Sequence, residues 1–187
     1  RANRDDRYFT DKYQGLPKEG YTKMFERILD HPNISIMLNT DYLSIKDELK
    51  YNRLIYTGCI DEFFDYKYGR LPYRSIFFDF ETIDNDKYQS VGTVNYPNDY
   101  DFTRITEFKH LTGQKCDKTT IVREYSKSEG EPYYPVPDKN NEKRYLKYLE
   151  DARKLPNVYF IGRLAMYKYL NMDKVVEYAL ELENSIF

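Results

Sequence analysis

Arginine and tyrosine are the residue types in this chain whose arrangement could do chemistry. The stretch Ile161-Gly-Arg-Leu-Ala-Met-Tyr-Lys-Tyr-Leu-Asn-Met-Asp173 sets Arg163, Tyr167 and Tyr169 after a glycine turn and before a helix that Asn171 or Asp173 would cap. A helix N-terminus with unpaired N–H groups beside a guanidinium suits a phosphate or the electron-rich edge of a cofactor. Arg104 opens a strand after Asp101-Phe-Thr103, Arg123-Glu-Tyr125 lies in the next strand, and Glu131-Pro-Tyr-Tyr-Pro135 holds two rings in a proline bracket that excludes helix. Arginine offers a planar fork matched to phosphate oxygens, and phenols add neutral donors beside it. A diphosphate ligand is the chemistry this set predicts.

Other catalytic sets find little support. His31, before Pro32, reads as a helix-end residue, and His110 reads as the end of a strand. No G-x-S-x-G occurs, no Cys/His group has metal-ligand spacing, and the acidic residues are scattered, so no metal site is expected.

With 29 Lys+Arg against 31 Asp+Glu, the charge balance argues against a general nucleic-acid binder. No apolar run approaches the roughly 20 residues of a membrane span. Cys59 and Cys116, without a signal peptide, predict a reduced, cytoplasmic setting with both thiols structural. Tyrosine is the outlier, 21 residues beside 11 Phe and no Trp. Composition leaves two uses open for these rings, filling the core or gripping a sugar phosphate. The charged start, Arg1 to Arg7 without a methionine, reads as the middle of a longer polypeptide, and no G-x-G-x-x-G lies in the chain.

Apolar residues at Tyr21, Met24, Phe25, Ile28 and Leu29 predict a helix stopped at His31-Pro32. Alternation at Ile34, Ile36 and Leu38 predicts a strand, 41–49 reads as a short helix, and 53–57 is a second strand. From Phe63 to Tyr134 four strands are expected, at 75–80, 90–96, 103–110 and 119–125, with short polar connections that imply antiparallel pairing. A helix over 142–155, ended by Pro156, a strand at 158–160 and a last helix over 172–187 return to α/β. The fold class is therefore α/β, or α+β within these 187 residues, one α/β layer interrupted by a sheet. Such an insertion creates a cleft, where ligand sites favour lying.

Nine segments in order resemble the UDP-galactopyranose mutase family. They are Arg7-Tyr-Phe-Thr-Asp-Lys-Tyr-Gln-Gly-Leu-Pro17, Gly20-Tyr-Thr22, Tyr56-Thr-Gly-Cys-Ile-Asp61, Phe64-Asp-Tyr66, Tyr73-Arg-Ser75, Thr103-Arg-Ile105, Arg123-Glu-Tyr-Ser126, Glu131-Pro-Tyr-Tyr-Pro135 and Gly162-Arg-Leu164. The resemblance spans essentially the whole chain and implies the second half of a flavoenzyme. On it, 1–19 ends the mobile-loop and helical region, and 20–62 and 135–187 belong to a Rossmann-like FAD-binding domain. The mainly antiparallel sheet of 63–134 is the substrate domain.

The activity so implied interconverts UDP-galactopyranose and UDP-galactofuranose for polysaccharide biosynthesis. Reduced FAD attacks the anomeric carbon through N5, expels UDP, forms an iminium, and lets the sugar reclose in the other ring size. The complete enzyme is implied to be a homodimer, and the 187 residues alone inactive. Arg1 resembles a mobile-loop arginine that closes on the diphosphate, and Arg104 the second diphosphate arginine. Tyr13 resembles the nucleotide-side tyrosine, Tyr134 and Tyr169 the phosphate-binding tyrosines, and Asn95 an asparagine near sugar and flavin. Arg74 and Arg163 resemble flavin-contacting arginines, with Met172 opening the helix aimed at the flavin.

Three positions depart from the family pattern. Asn171 stands in place of the usual Asp, keeping a cap while removing a charge from the substrate side. Ile161 replaces a glycine and Cys59 a proline. Two other readings remain open: an amine-oxidase-like flavoprotein acting on a different nucleotide sugar, and a domain that binds nucleotide sugars without catalysis.

Overall fold

The computed structural model describes residues 10–186. It divides into two compact units, one of Arg1–Leu38, Phe80–Val94 and Thr106–Ile121, the other of Asn39–Asp79, Asn95–Ile105 and Val122–Phe187. In chain order the elements are α1 (Gly20–Leu29), α2 (Tyr42–Ile45), β1 (Leu54–Tyr56), α3 (Ile60–Phe63), β2 (Tyr73–Ile83), β3 (Thr93–Asn95), β4 (Arg104–Glu107), α4 (Phe108–Thr112), β5 (Thr119–Lys127), β6 (Tyr134–Pro135), α5 (Lys139–Ala152), β7 (Val158–Phe160) and α6 (Met172–Ile186).

The chain is mixed α/β with an antiparallel sheet. β1 and β7 pair in parallel, Leu54 opposite Val158 and Tyr56 opposite Phe160. The other five strands form one sheet in the order β3-β4-β5-β2-β6. β2 and β6 run antiparallel, with Tyr73 opposite Pro135 and Arg74 opposite Tyr134.

In the second unit the core forms where α5 packs on α3 and β7. Asp138 caps α5 by accepting the Asn140 N–H at 2.8 Å, and Pro156 lies just beyond its end. The helix then buries Tyr148 and Ala152 against Ile60 and Leu71. Around them the tyrosines and phenylalanines interlock: Phe63 meets Tyr56 and Phe160 at 4.9 Å between ring centres, and Tyr68 meets Tyr148 at 5.1 Å. Such pairs add about 0.5–1.5 kcal/mol each beyond the area they bury. Tyr56 and Tyr148 are buried in this core, Tyr68, Tyr73, Tyr145 and Tyr167 pack partly buried against it, and Tyr13, Tyr21, Tyr51, Tyr88, Tyr100 and Tyr169 stay exposed.

The first unit is organised by one carboxylate. Glu107 is fully buried, accepting the Thr119 hydroxyl at 2.7 Å and the N–H groups of Tyr88 and Gln89 at 3.1 and 2.9 Å. A buried carboxylate is tolerated only with its lone pairs filled, and these bonds hold the 88–89 loop to the β4 end.

Three expectations are corrected. Ile34–Leu38 forms no strand, and its Ile34, Ile36, Met37 and Leu38 side chains are exposed. Alternation prepares a strand, but a ladder also requires a neighbour, and none of the seven strands of the described residues pairs there. His110 is helical rather than a strand end: β4 stops at Glu107, whose carboxylate turns inward, and α4 carries His110 to 2.9 Å from the Gln89 carbonyl. Cys59 is buried and Cys116 exposed, so the surface thiol has no packing role of the kind both were assigned.

Candidate functional site

The second unit collects most of the arginine–tyrosine set on one sheet face. Side chains alternate along a strand. Phe77 lies against the ring of Tyr125, and Asp79 is 3.8 Å from Arg123, so the odd-numbered residues of β2 and β5 share a face. Arg74 and Glu124 therefore share the opposite face. Tyr134, directly across from Arg74, joins it. Arg104 extends toward Glu124 on the neighbouring strand, with Nη1 3.7 Å from Oε2, and its Nε donates to Asn95 Oδ1 at 3.0 Å. Asn95, Arg104, Glu124, Arg74 and Tyr134 thus line one face across the five strands.

Arg104 is held in a fixed pose. Asn95 takes Nε and Glu124 offsets part of its charge, which leaves the far side of the guanidinium to address a ligand. The side chain is 38% exposed, wet enough to meet a ligand.

The loop after β7 delivers the second group. Gly162 turns the chain at φ +93°, and a short helical turn follows, with Met166 N–H donating to the Gly162 carbonyl at 3.0 Å. It closes with Lys168 N–H to the Arg163 carbonyl and Tyr167 N–H to the Leu164 carbonyl, the paired bonds of a Schellman stop. The Arg163 guanidinium donates back to the Leu170 carbonyl and sits over two rings, 5.0 Å from the centre of Tyr134 and 4.9 Å from that of Tyr169. The two rings stack at 5.5 Å. Tyr169 is 65% exposed, so its phenol is presented to solvent. α6 starts directly after Asn171, whose carbonyl accepts the Val175 N–H at 3.1 Å. Asn171 thus takes the cap position and Met172, 58% exposed, the first helical one.

The structure therefore brings together Arg163, Tyr134 and Tyr169, with Arg74 across from Tyr134, and separately joins Asn95 to Arg104. Tyr13 belongs to the other unit, an exposed ring with the Lys12 ammonium 5.1 Å over it. Arg1 lies outside the described residues.

Beneath this surface lies a buried polar knot that the residue types alone did not single out. Asp61 is buried and accepts the Leu71 N–H at 2.8 Å and the Tyr73 hydroxyl at 3.4 Å. Burial pushes its carboxyl up, against the pull of the Leu71 N–H. Burial also pushes the neighbouring Cys59 thiol up to about 12, which keeps it a protonated, unreactive core residue. Glu124 was also passed over; its place in Arg123-Glu-Tyr125, one residue from an arginine on an alternating strand, was the available signal. For Asp61 the sequence held none beyond its place in a matched segment.

A family model described as UDP-galactopyranose mutase matches residues 1–169. The chain belongs to the UDP-galactopyranose mutase family. A probable UDP-galactopyranose mutase of Klebsiella pneumoniae is 41% identical over 186 residues, covering 97% of this chain and 48% of that protein. A dTDP-fucopyranose mutase of Escherichia coli is 37% identical, covering 97% of the chain and 51% of that protein. A UDP-galactopyranose mutase of Mycoplasma pneumoniae is 35% identical, covering 92% and 48%. The chain thus spans about half the length of the curated mutases it matches. Among its described residues, no helix is long and apolar enough to cross a membrane.

Proposed function

We propose that the complete polypeptide carrying this sequence is an FAD-dependent isomerase that interconverts UDP-galactopyranose and UDP-galactofuranose. The observation that carries the reading is the sheet face shared by the Asn95–Arg104 pair, Arg74 and Tyr134, where the loop after β7 lays Arg163 and the exposed Tyr169 against the Tyr134 ring. That surface is built for an anionic, oxygen-rich ligand: guanidinium and phenol donors fixed in place, with one carboxylate, Glu124, tempering the charge.

In this reading Arg104, together with Arg1, neutralises the diphosphate as the anomeric C–O bond opens and charge builds on the departing oxygen. Tyr134 and Tyr169 donate to the same phosphates, Tyr13 contacts the nucleotide side, and Asn95 orients the sugar. Atoms are conserved, because the diphosphate that leaves the anomeric carbon returns to it after the sugar exchanges its ring hydroxyl. Donors placed before the reaction need no rearrangement when the charge appears.

The residues present fit one edge of a flavin and no more. An exposed thioether at Met172, the first turn of α6, the Asn171 cap and the guanidiniums of Arg74 and Arg163 suit an electron-rich ring edge. When bound in its reduced form, the flavin supplies the nucleophile for the anomeric carbon. The phosphate-binding glycines of a dinucleotide site are not in these residues. We assign 20–62 and 135–187 to a Rossmann-like FAD-binding domain, 63–134 to the substrate domain and 1–19 to the end of the helical region. The working form is a cytoplasmic homodimer.

The 37% identity to a dTDP-fucopyranose mutase favours a second reading, the same change of ring size on a sugar carried by dTDP. The test for both is conversion by the complete polypeptide with oxidised or chemically reduced flavin, offering UDP-galactofuranose and, in parallel, dTDP-fucopyranose. Conversion of the UDP sugar only with reduced flavin supports the leading reading. Conversion of the dTDP sugar alone transfers the activity to the second, and no conversion of either, with flavin bound, refutes both.

A further inference from the structure

Tyr167 holds a conformation that its side chain does not favour. It occupies the C′ position of the Schellman stop described above, at φ +48°, where glycine is the usual residue because a Cβ there is strained. Its side chain is tied down at both the hydroxyl and the ring. The hydroxyl donates to the Pro72 carbonyl at 2.8 Å and reaches the Val136 carbonyl at 3.0 Å, a single proton shared between two acceptors. Pro72 immediately precedes β2 and Val136 immediately follows β6, so the phenol bridges the two strands that carry Arg74 and Tyr134. The ring meets Tyr73 edge-on at 5.3 Å and stacks on Tyr145 at 5.8 Å.

We propose that Tyr167 is a positioning residue for the diphosphate grip: it trades backbone strain for a rigid link that sets Tyr169 and Arg163 against Tyr134. The inference rests on the function proposed above. A turn that needed only to reverse the chain would be served by glycine. A tyrosine at that position adds a brace two residues before Tyr169 and four after Arg163, on the strand pair that presents Tyr134. Burial pushes the phenol up to about 12, so the hydroxyl keeps its proton through the working pH range.

The experiment is steady-state kinetics of the complete polypeptide, with reduced flavin and UDP-galactofuranose, on five variants. Tyr167→Phe removes the bridge and keeps the ring. Tyr167→Gly relieves the backbone and removes the brace. Tyr134→Phe and Tyr169→Phe remove the phenols that touch the phosphates. Tyr68→Phe is the control, losing one hydroxyl bond of 2.8 Å, to Asp151, away from the grip.

Tyr167→Phe is expected to raise KM about 3- to 30-fold with kcat little changed, and Tyr167→Gly to raise it further, while Tyr68→Phe leaves KM as it was. Unchanged KM in Tyr167→Phe, or full activity in Tyr167→Gly, overturns the proposal. So does an equal rise in Tyr68→Phe, which would mark general loosening. If Tyr134→Phe and Tyr169→Phe both leave KM unchanged while Tyr167→Phe raises it, the site reading fails and the brace serves something else.

Discussion

Arg104→Ala separates catalysis from folding more sharply than any other single change at this surface. The guanidinium makes one hydrogen bond, 3.0 Å to Asn95, and a long 3.7 Å approach to the half-buried Glu124 carboxylate. An ion pair that long contributes about 0–1 kcal/mol to stability, and the bond to Asn95 a similar amount. The folded state should therefore lose on the order of 1–2 kcal/mol. Against a diphosphate the same group makes charge-assisted bonds worth about 1.5–3 kcal/mol in the ground state, and more where charge builds as the anomeric bond opens. The two together predict a fall in kcat/KM of about 10²–10³ beside a melting point lowered by only a few degrees. The assay is conversion of UDP-galactofuranose with reduced flavin on the complete polypeptide, paired with thermal unfolding of the same preparations. Arg104→Lys keeps the charge, loses the fork and cannot hold both Asn95 and a phosphate, so it should recover only part of the loss. Turnover within about threefold of the parent for Arg104→Ala would place the diphosphate elsewhere and refute the reasoning.

Glu107→Gln keeps the size but leaves the Tyr88 and Gln89 N–H groups short of a charged acceptor, and should destabilise the chain by about 2–4 kcal/mol in urea unfolding at pH 7. In the parent, burial raises the Glu107 carboxyl, but its hydrogen bonds outweigh this and hold it below its ordinary 4.5. Its contribution is then full above pH 4.5 and lost as pH falls through the lower folded value, so an acid titration of stability should show a step that the Gln variant lacks. The 187 residues by themselves should bind FAD weakly, because they carry no phosphate-cradling glycine run; flavin retained one-to-one through gel filtration would contradict this.

Where the chain met a local rule, residue pattern and structure agree. The apolar spacing of α5, which forms three residues earlier than the expected 142–155, the bursts of Tyr, Phe, Ile and Val in β2 and β5, and the opening of β4 at Arg104 all follow from period and punctuation. The arginine–tyrosine set stands out in the residues because no conventional catalytic group competes with it. Illegible were features decided by distant partners. Ile34–Leu38 alternates like a strand yet enters neither sheet, and nothing local to His110 shows that Glu107 will turn inward and end β4 early. The left-handed Tyr167 breaks the glycine rule for that position, and only carbonyls 95 and 31 residues away explain it.

The parallel pairing of β1 with β7 sets the order of assembly. Leu54 N–H donates to the Asn157 carbonyl at 2.8 Å, and Ile161 N–H to the Tyr56 carbonyl at 3.1 Å, so the ladder joins segments separated by about a hundred residues. Closing that length as loose chain, for three residues of pairing, yields too few bonds to nucleate folding. Once β2 through β6 have condensed, the same ends hang from a structured excursion and the closure is nearly local. We therefore expect the ladder to form late on the folding path, so that substitutions at Ile55 or Tyr159 hasten unfolding while scarcely slowing refolding in stopped-flow measurements.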